Sequence, residues 1–309
     1  MAVDARRIAR RKLIVRTARI WSRLYKGLVP ELKQMTRVWL TRLVKQAEQE
    51  SSLGTLEAPL DFPAKFTTKL VRTLREAYAQ GYWLNRLYVE DLKNGGKYRG
   101  RVKLSDESDI EGLMDLLRGF IEGGHSDEWY SVIPQSAIDW LEGYVPSLAG
   151  VVSGAVLEGV QKVMLDSLQG GMTLQERMKA LRESAAELDV MSGRRIESIA
   201  RTEITRADTL GRLSSMKANE DVIGVEFSAI MDDRTTEICS SRHGLVMRLD
   251  DPRLPENTPP LHVNCRSMLL SLTVYDCPDG VLTSHEFDEV SAGTQRPEDI
   301  EEAAKVLGG

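Results

Sequence analysis

The sequence predicts an α+β chain: a predominantly helical N-terminal two-thirds, then a small helix-plus-sheet C-terminal module, then an acidic tail. Three observations carry this. Apolar residues recur at three- and four-residue steps almost without interruption to about Ala218, the period of helices packed on one face. From Val222 the pattern changes to short apolar runs bounded by Asp, Gly and Pro, which is how strands and turns read. After Tyr275 large apolar groups become sparse: Asp276 to Gly309 holds 9 acidic against 2 basic residues, too polar to bury a core.

From Arg10 to Glu50, Leu13, Ile14, Ala18, Trp21, Leu24, Leu28, Leu32, Val38, Trp39 and Leu43 follow the helical period. They predict one amphipathic helix, or two bent around Pro30. Its polar positions are mainly Arg and Lys; residues 1–50 carry 13 Lys/Arg against 4 Asp/Glu. "SSLGTLEAPLDFP" (51–63) reads as a connector. A second helix is expected from about Pro63 to Lys93, stopped by Gly95 and Gly96, with "GGKYRGRVK" as a basic loop.

Helical patterns continue through "DIEGLMDLLRGFIEGG" and through the stretch from Asp127 to Gly171, which Pro134 and Pro146 are expected to break or kink. Thr173 and Glu176 have capping-box spacing and start a helix. Another is predicted from about Gly193 to Ala218. "VIGVEFSAIM", "GLVMRL" and "RSMLLSLTVY" are the expected strands, separated by the Pro-rich "DDPRLPENTPPLHVNC". The predicted organisation is a basic helical region 1–150, a second region 151–275 and a tail 276–309.

Composition bounds the function. With 42% hydrophobic and 28% charged residues the chain is globular rather than disordered. No unbroken apolar run approaches the roughly 18 residues of a membrane span, and the basic N-terminus lacks an apolar signal-peptide core. The cysteines are few and odd in number (Cys239, Cys265 and Cys277), which points to a reducing compartment and to metal or core roles rather than a disulfide framework. The opposite charges of the two ends predict different partners for each, or each other.

Three motifs carry chemistry. Cys239 and His243 stand in C-x3-H spacing, and His262 and Cys265 in H-x2-C spacing. Such pairs place two ligands on one turn, so two turns can complete a tetrahedron around zinc. Metal would also supply folding free energy to a module with little core. The same residues suit a packed corner in which His262 bonds locally and Cys265 is an apolar filler. A nucleophile, Cys239 or Cys265 with His262 as base, needs an orienting group such as Asn264 or Asp233, and no spacing fixes one. In "ARTEITRA", Glu203 and Arg206 are i,i+3 neighbours and can pair, whereas Arg201 lies on the far side of the helix and must look elsewhere. In "DDRTTEIC", the strand end followed by Asp232, Arg234 and Thr235 predicts an Asx-type turn.

Taken in order, these pieces resemble the phage Mu F-like minor head proteins, also called SPP1-type head morphogenesis proteins. The matching positions are Arg201, Thr202 and Glu203 of an Arg-Thr-Glu helix; Asp232, Arg234, Thr235 and Cys239 of an Asp-x-Arg-Thr-x-x-x-Cys turn; Gly244; and Pro259, Pro260, His262, Asn264, Cys265 and Arg266 of a Pro-Pro-x-His-x-Asn-Cys-Arg close. The family often ends that motif with a further cysteine, where this chain has Ser267. If that cysteine is a zinc ligand, His243 would have to replace it here.

The resemblance assigns 151–275 to a Mu F-like domain. It implies a low-copy structural protein of a phage or prophage head, acting in procapsid assembly and in packaging or delivery of the genome. The implied place is the virion head near the portal, after assembly in the host cytoplasm. The implied partners are the portal protein, the major capsid or scaffolding protein, and packaged double-stranded DNA. It implies no catalytic activity. Two other readings remain: an ADP-ribosyltransferase-like enzyme on the C-terminal module, and a DNA-binding protein acting through residues 1–50.

Overall fold

The computed structural model describes residues 2–49, 61–93 and 130–275. The basic loop, the helix expected in "DIEGLMDLLRGFIEGG", most of the connector and the acidic tail lie outside the described residues. Among the described residues four long helices precede the sheet: α1 (Ala2–Gln49), α2 (Asp61–Lys93), α3 (Gln135–Gln169) and α4 (Leu174–Lys217). They are followed by β1 (Val222–Ser228), a one-turn helix α5 (Glu237–Ser240), β2 (Val246–Arg248), a 3-10 turn at Pro255–Asn257 and β3 (Met268–Thr273). The chain is thus mostly helical with a small antiparallel sheet near its C-terminal end, the predicted class.

Pro30, for which the sequence left one helix or two bent helices open, lies within the single helix α1, and Pro146, expected to break or kink a helix, lies within α3. Each proline, and the residue four before it (Lys26, Glu142), is exposed, so water can serve the carbonyl that loses its helical partner. Buried neighbours anchor the helix around each proline: Leu28, Val29 and Leu32 around the first, Leu141, Val145 and Ala149 around the second. The two helices expected after Thr173 are one. A glycine inside a helix costs about 1 kcal/mol, which Gly193 sustains because Leu181, Ile196 and Ala200 are buried on either side of it. The capping box forms: the Glu176 carboxylate accepts from the Thr173 N–H at 2.8 Å, and Thr173 Oγ1 accepts from the Glu176 N–H at 3.3 Å.

The chain forms two compact units, each assembled from separated stretches. One draws on Met1–Leu24, Leu74–Pro134 and Thr202–Gly309, the other on Tyr25–Thr73 and Gln135–Arg201. Among the described residues the second has helices and no strand. Its core contains Trp39 stacked on Phe62 at 4.9 Å, with Phe66, Leu70, Val152, Val156 and Met164 buried. Ion pairs line its surface: Lys33–Glu197 at 2.5 Å, Lys69–Glu31 at 2.7 Å, Arg37–Asp189 and Arg182–Glu48 at 3.0 Å. Within α3, Gln135–Ser167 is long and apolar enough to cross a membrane by length and composition alone, with 28% of its most apolar window buried. Gly, Ser and Glu punctuate it, so it is invisible in a search for unbroken apolar runs. Core helices pass the same test, and it does not establish a membrane span.

The first unit carries the sheet, in the order β2-β1-β3 with both pairings antiparallel. Here α2 and α4 meet backbone to backbone. A methyl on Gly81 would collide with the Asp208 carbonyl, and one on Gly211 with the Tyr78 carbonyl. Polar groups are buried in sets. Arg212 bonds Asp208 at 2.6 Å and Thr17 at 2.5 Å. Arg10 of α1 pairs with Glu226 of β1. Asn85 donates to Ser215 at 3.3 Å and accepts from Ser271 of β3 at 2.6 Å. These bonds tie the sheet to the helices of its own unit.

Candidate metal centre

Two segments converge beside the sheet. After β1 the chain turns at Asp232, as the sequence predicts: Asp232 Oδ1 accepts from the Arg234 N–H at 3.1 Å, and Thr235 Oγ1 accepts from the Asp232 N–H at 3.0 Å. This Asx turn delivers the chain into α5, whose inward residue is Cys239, 2% exposed. Before β3, the loop carrying His262, Cys265, Arg266 and Ser267 comes back to meet it. The Pro259–Pro260 bond in that loop is cis. Asn264 has φ 60°, a left-handed conformation that Asn tolerates better than most residues.

Clamps hold the two segments. Arg266 donates both guanidinium nitrogens to the two carboxylate oxygens of Asp232, one of the bonds at 2.6 Å. These bonds hold the Asp232 carboxyl below its ordinary range. The helix segment "ARTEITRA" supplies the other clamp from α4: the Asn264 N–H donates to Thr202 Oγ1 at 3.0 Å, and Thr205 Oγ1 donates to the Cys265 carbonyl at 3.1 Å. Glu203 and Arg206 pair at 3.0 Å. Arg201 instead lies over the Tyr25 ring, 4.6 Å from its centroid.

Inside this clasp Cys239 Sγ lies 3.1 Å from His262 Nε2 and 3.7 Å from Cys265 Sγ. The three ligand atoms all lie within 4.8 Å of one another. Cys265 is also 2% exposed, while His262 is half-buried. His262 Nδ1 stands 2.8 Å from the Val263 carbonyl. A carbonyl only accepts, so Nδ1 carries the proton and Nε2 presents its lone pair to the sulfurs. The hydrogen bond from Cys239 holds the Cys265 thiol below the ordinary thiol range, helped by the backbone and hydroxyl of Ser267 and the backbone of Leu261. The same bond and burial push the Cys239 thiol up.

His243 is not part of the group. Its Nδ1 accepts from the Ala229 N–H at 3.2 Å, and burial lowers its pKa, favouring the neutral ring. Following it, Gly244 takes φ 83° and pairs its N–H with the Phe227 carbonyl at 2.9 Å. His243 therefore shapes the β1–β2 turn. The spacing C-x3-H suggested a ligand pair because sequence cannot show that one member faces the strand. Thr205 and Thr236 went unnoticed, having no spacing signal of their own. Thr236 Oγ1 lies 2.9 Å from His262 Nε2 at the exposed rim.

The ordered motifs, the clasp and the small sheet occupy the same stretch that a family comparison selects. Residues 158–270 match the family described as Phage Mu protein F like protein. No curated protein and no solved structure matches the chain. The matched segment takes in the end of α3, the whole of α4, β1, α5 and β2, the first half of β3 and all the clasp residues named above, and it supports a phage head morphogenesis protein. It leaves out α1 and α2, so the basic N-terminal helix belongs to the part the match does not cover.

Proposed function

We propose that this chain is a minor head protein of a tailed phage or prophage, held at the portal vertex, that acts in procapsid assembly and genome packaging or delivery by binding rather than by turnover. The observation that carries the reading is the Mu F-like match over 158–270. The geometry of that segment supports a binding role, because its motif residues act on one another. Asp232 engages Arg266, Thr202 and Thr205 engage the loop of Cys265, and Glu203 engages Arg206.

The enzymatic alternatives find little support in the same geometry. An ADP-ribosyltransferase-like site needs its Arg and Glu to converge, whereas Arg201 is stacked on Tyr25 and Glu203 is paired and buried. A nucleophilic cysteine needs an accessible thiol of lowered pKa, whereas Cys239 is buried and pushed up, and Cys265, though lowered, is only 2% exposed.

The partners proposed are the portal protein first, then the major capsid or scaffolding protein, with the protein inside the head near the portal after assembly in the host cytoplasm. Direct contact with DNA through residues 1–50 is the weaker expectation. Part of that helix's positive charge is already matched inside the chain, in Arg10–Glu226, Arg23–Glu76, Lys33–Glu197 and Arg37–Asp189. The test is co-expression of the full chain with the portal protein of the same phage. Co-migration of the two on a density gradient is expected; two folded proteins that sediment separately would contradict the reading.

A further inference from the structure

We infer that Cys239, His262 and Cys265 form a zinc site whose fourth corner is Ser267. Distance is the first argument. Tetrahedral zinc with bonds to sulfur of about 2.3 Å sets two thiolates about 3.8 Å apart; Cys239 and Cys265 stand at 3.7 Å. Sulfur and imidazole nitrogen belong about 3.5 Å apart around the same ion. The 3.1 Å between Cys239 and His262 requires a shift of about half an ångström, which a half-buried loop residue can make.

The second argument is preparation of each ligand. His262 is locked by Nδ1–H to the Val263 carbonyl, so the lone pair on Nε2 is the one that faces Cys239 Sγ, with Thr236 Oγ1 also within hydrogen-bond distance of it. The Cys265 sulfur receives hydrogen bonds from the backbone of Leu261 and Ser267. These are the outer contacts that orient a thiolate ligand. Ser267 follows Cys265 by two residues, is 2% exposed and has its hydroxyl beside both sulfurs, and it is the buried oxygen assigned to the remaining corner.

Charge is the third argument. On binding, each thiol loses its proton to solvent, and two thiolates cancel the dication, so the buried site is neutral. Two sulfurs and one nitrogen select zinc over magnesium or calcium, which take oxygen.

The experiment is titration of the reduced, full-length protein with cobalt(II), read by its ligand-field and sulfur-to-cobalt absorption, followed by displacement with zinc. One tetrahedral ion per chain is expected, weakened by roughly a hundredfold or more in Cys265→Ala and in His262→Ala, the latter altering only a half-buried side chain and so leaving the fold intact. Cys277→Ala is expected to bind as wild type, and Ser267→Cys to bind roughly tenfold tighter or more, with a stronger sulfur-to-cobalt band. A folded wild type that binds no cobalt, or binding that survives His262→Ala, would overturn the site. An unchanged Ser267→Cys affinity and spectrum would overturn the assignment of the fourth corner.

Discussion

The helical unit of Tyr25–Thr73 and Gln135–Arg201 and the unit that carries the sheet are stabilised in different ways. The first is redundant. Its core repeats apolar contacts along four helical stretches, and its ion pairs are at least partly exposed, with Arg37 at 60% and Arg182 at 65% side-chain exposure. The second has three short strands, and its buried polar and sulfur groups make specific pairs such as Arg212–Asp208, Arg10–Glu226 and Cys239–Cys265. Surface pairs of the first kind are worth little, whereas a buried charge stripped of its partner is costly. Redundancy therefore predicts tolerance in one region, and specific pairing predicts sensitivity in the other.

Substitutions that break single contacts sharpen the contrast. The largest effect is expected at Arg212, which with Asp208 is at most 1% exposed. Arg212→Ala leaves a buried carboxylate and should cost about 3–5 kcal/mol in denaturant unfolding. Removing both charges together, in Arg212→Met with Asp208→Leu, should cost less than that single change; a double variant that is worse would mean the pair is not the source of the sensitivity.

Asp232 comes next. Asp232→Asn removes a two-pronged bond to Arg266 whose partners are 14% and 15% exposed, and should cost about 1.5–3 kcal/mol. The pH dependence follows from the lowered Asp232 pKa, caused first by the Arg266 hydrogen bonds. The contribution is complete above the unfolded-state value of about 3.9 and is lost as pH falls through the lower folded-state value. Acid unfolding curves should show this: wild type and Asp232→Asn converge at low pH and separate as pH rises. Parallel curves would remove Asp232 from the clasp.

The smallest effect belongs to the helical unit. Arg37→Ala should shift stability by about 0.5 kcal/mol or less, and added salt should erase the difference. A loss comparable to that of Asp232→Asn would end the comparison between the two regions.

Much of this was legible in the residues. The helices of α1, α2 and α4, the capping box at Thr173 and the three strands follow from period and punctuation, because those signals are local. Helix continuity was not. Whether Pro30, Pro146 or Gly193 ends a helix depends on which neighbours are buried and where water reaches, and neither is written in a run of letters. At the site, the spacing of Cys239, His262 and Cys265 pointed to one cluster, while His243 shared the spacing but belongs to the β1–β2 turn. The Arg10–Glu226 pair spans 216 residues and had only one trace, an acidic residue in the middle of an apolar strand.

The central claim is that the sheet region is fastened from both ends by one clasp. Hydrogen exchange on the full chain, comparing wild type with Arg266→Ala, tests it most directly. Protection should fall together in α5, in the loop from 261 to 267 and in β3, while the helices of the Tyr25–Thr73 and Gln135–Arg201 unit keep theirs. Loss confined to the residues beside position 266, with α5 unchanged, would contradict it.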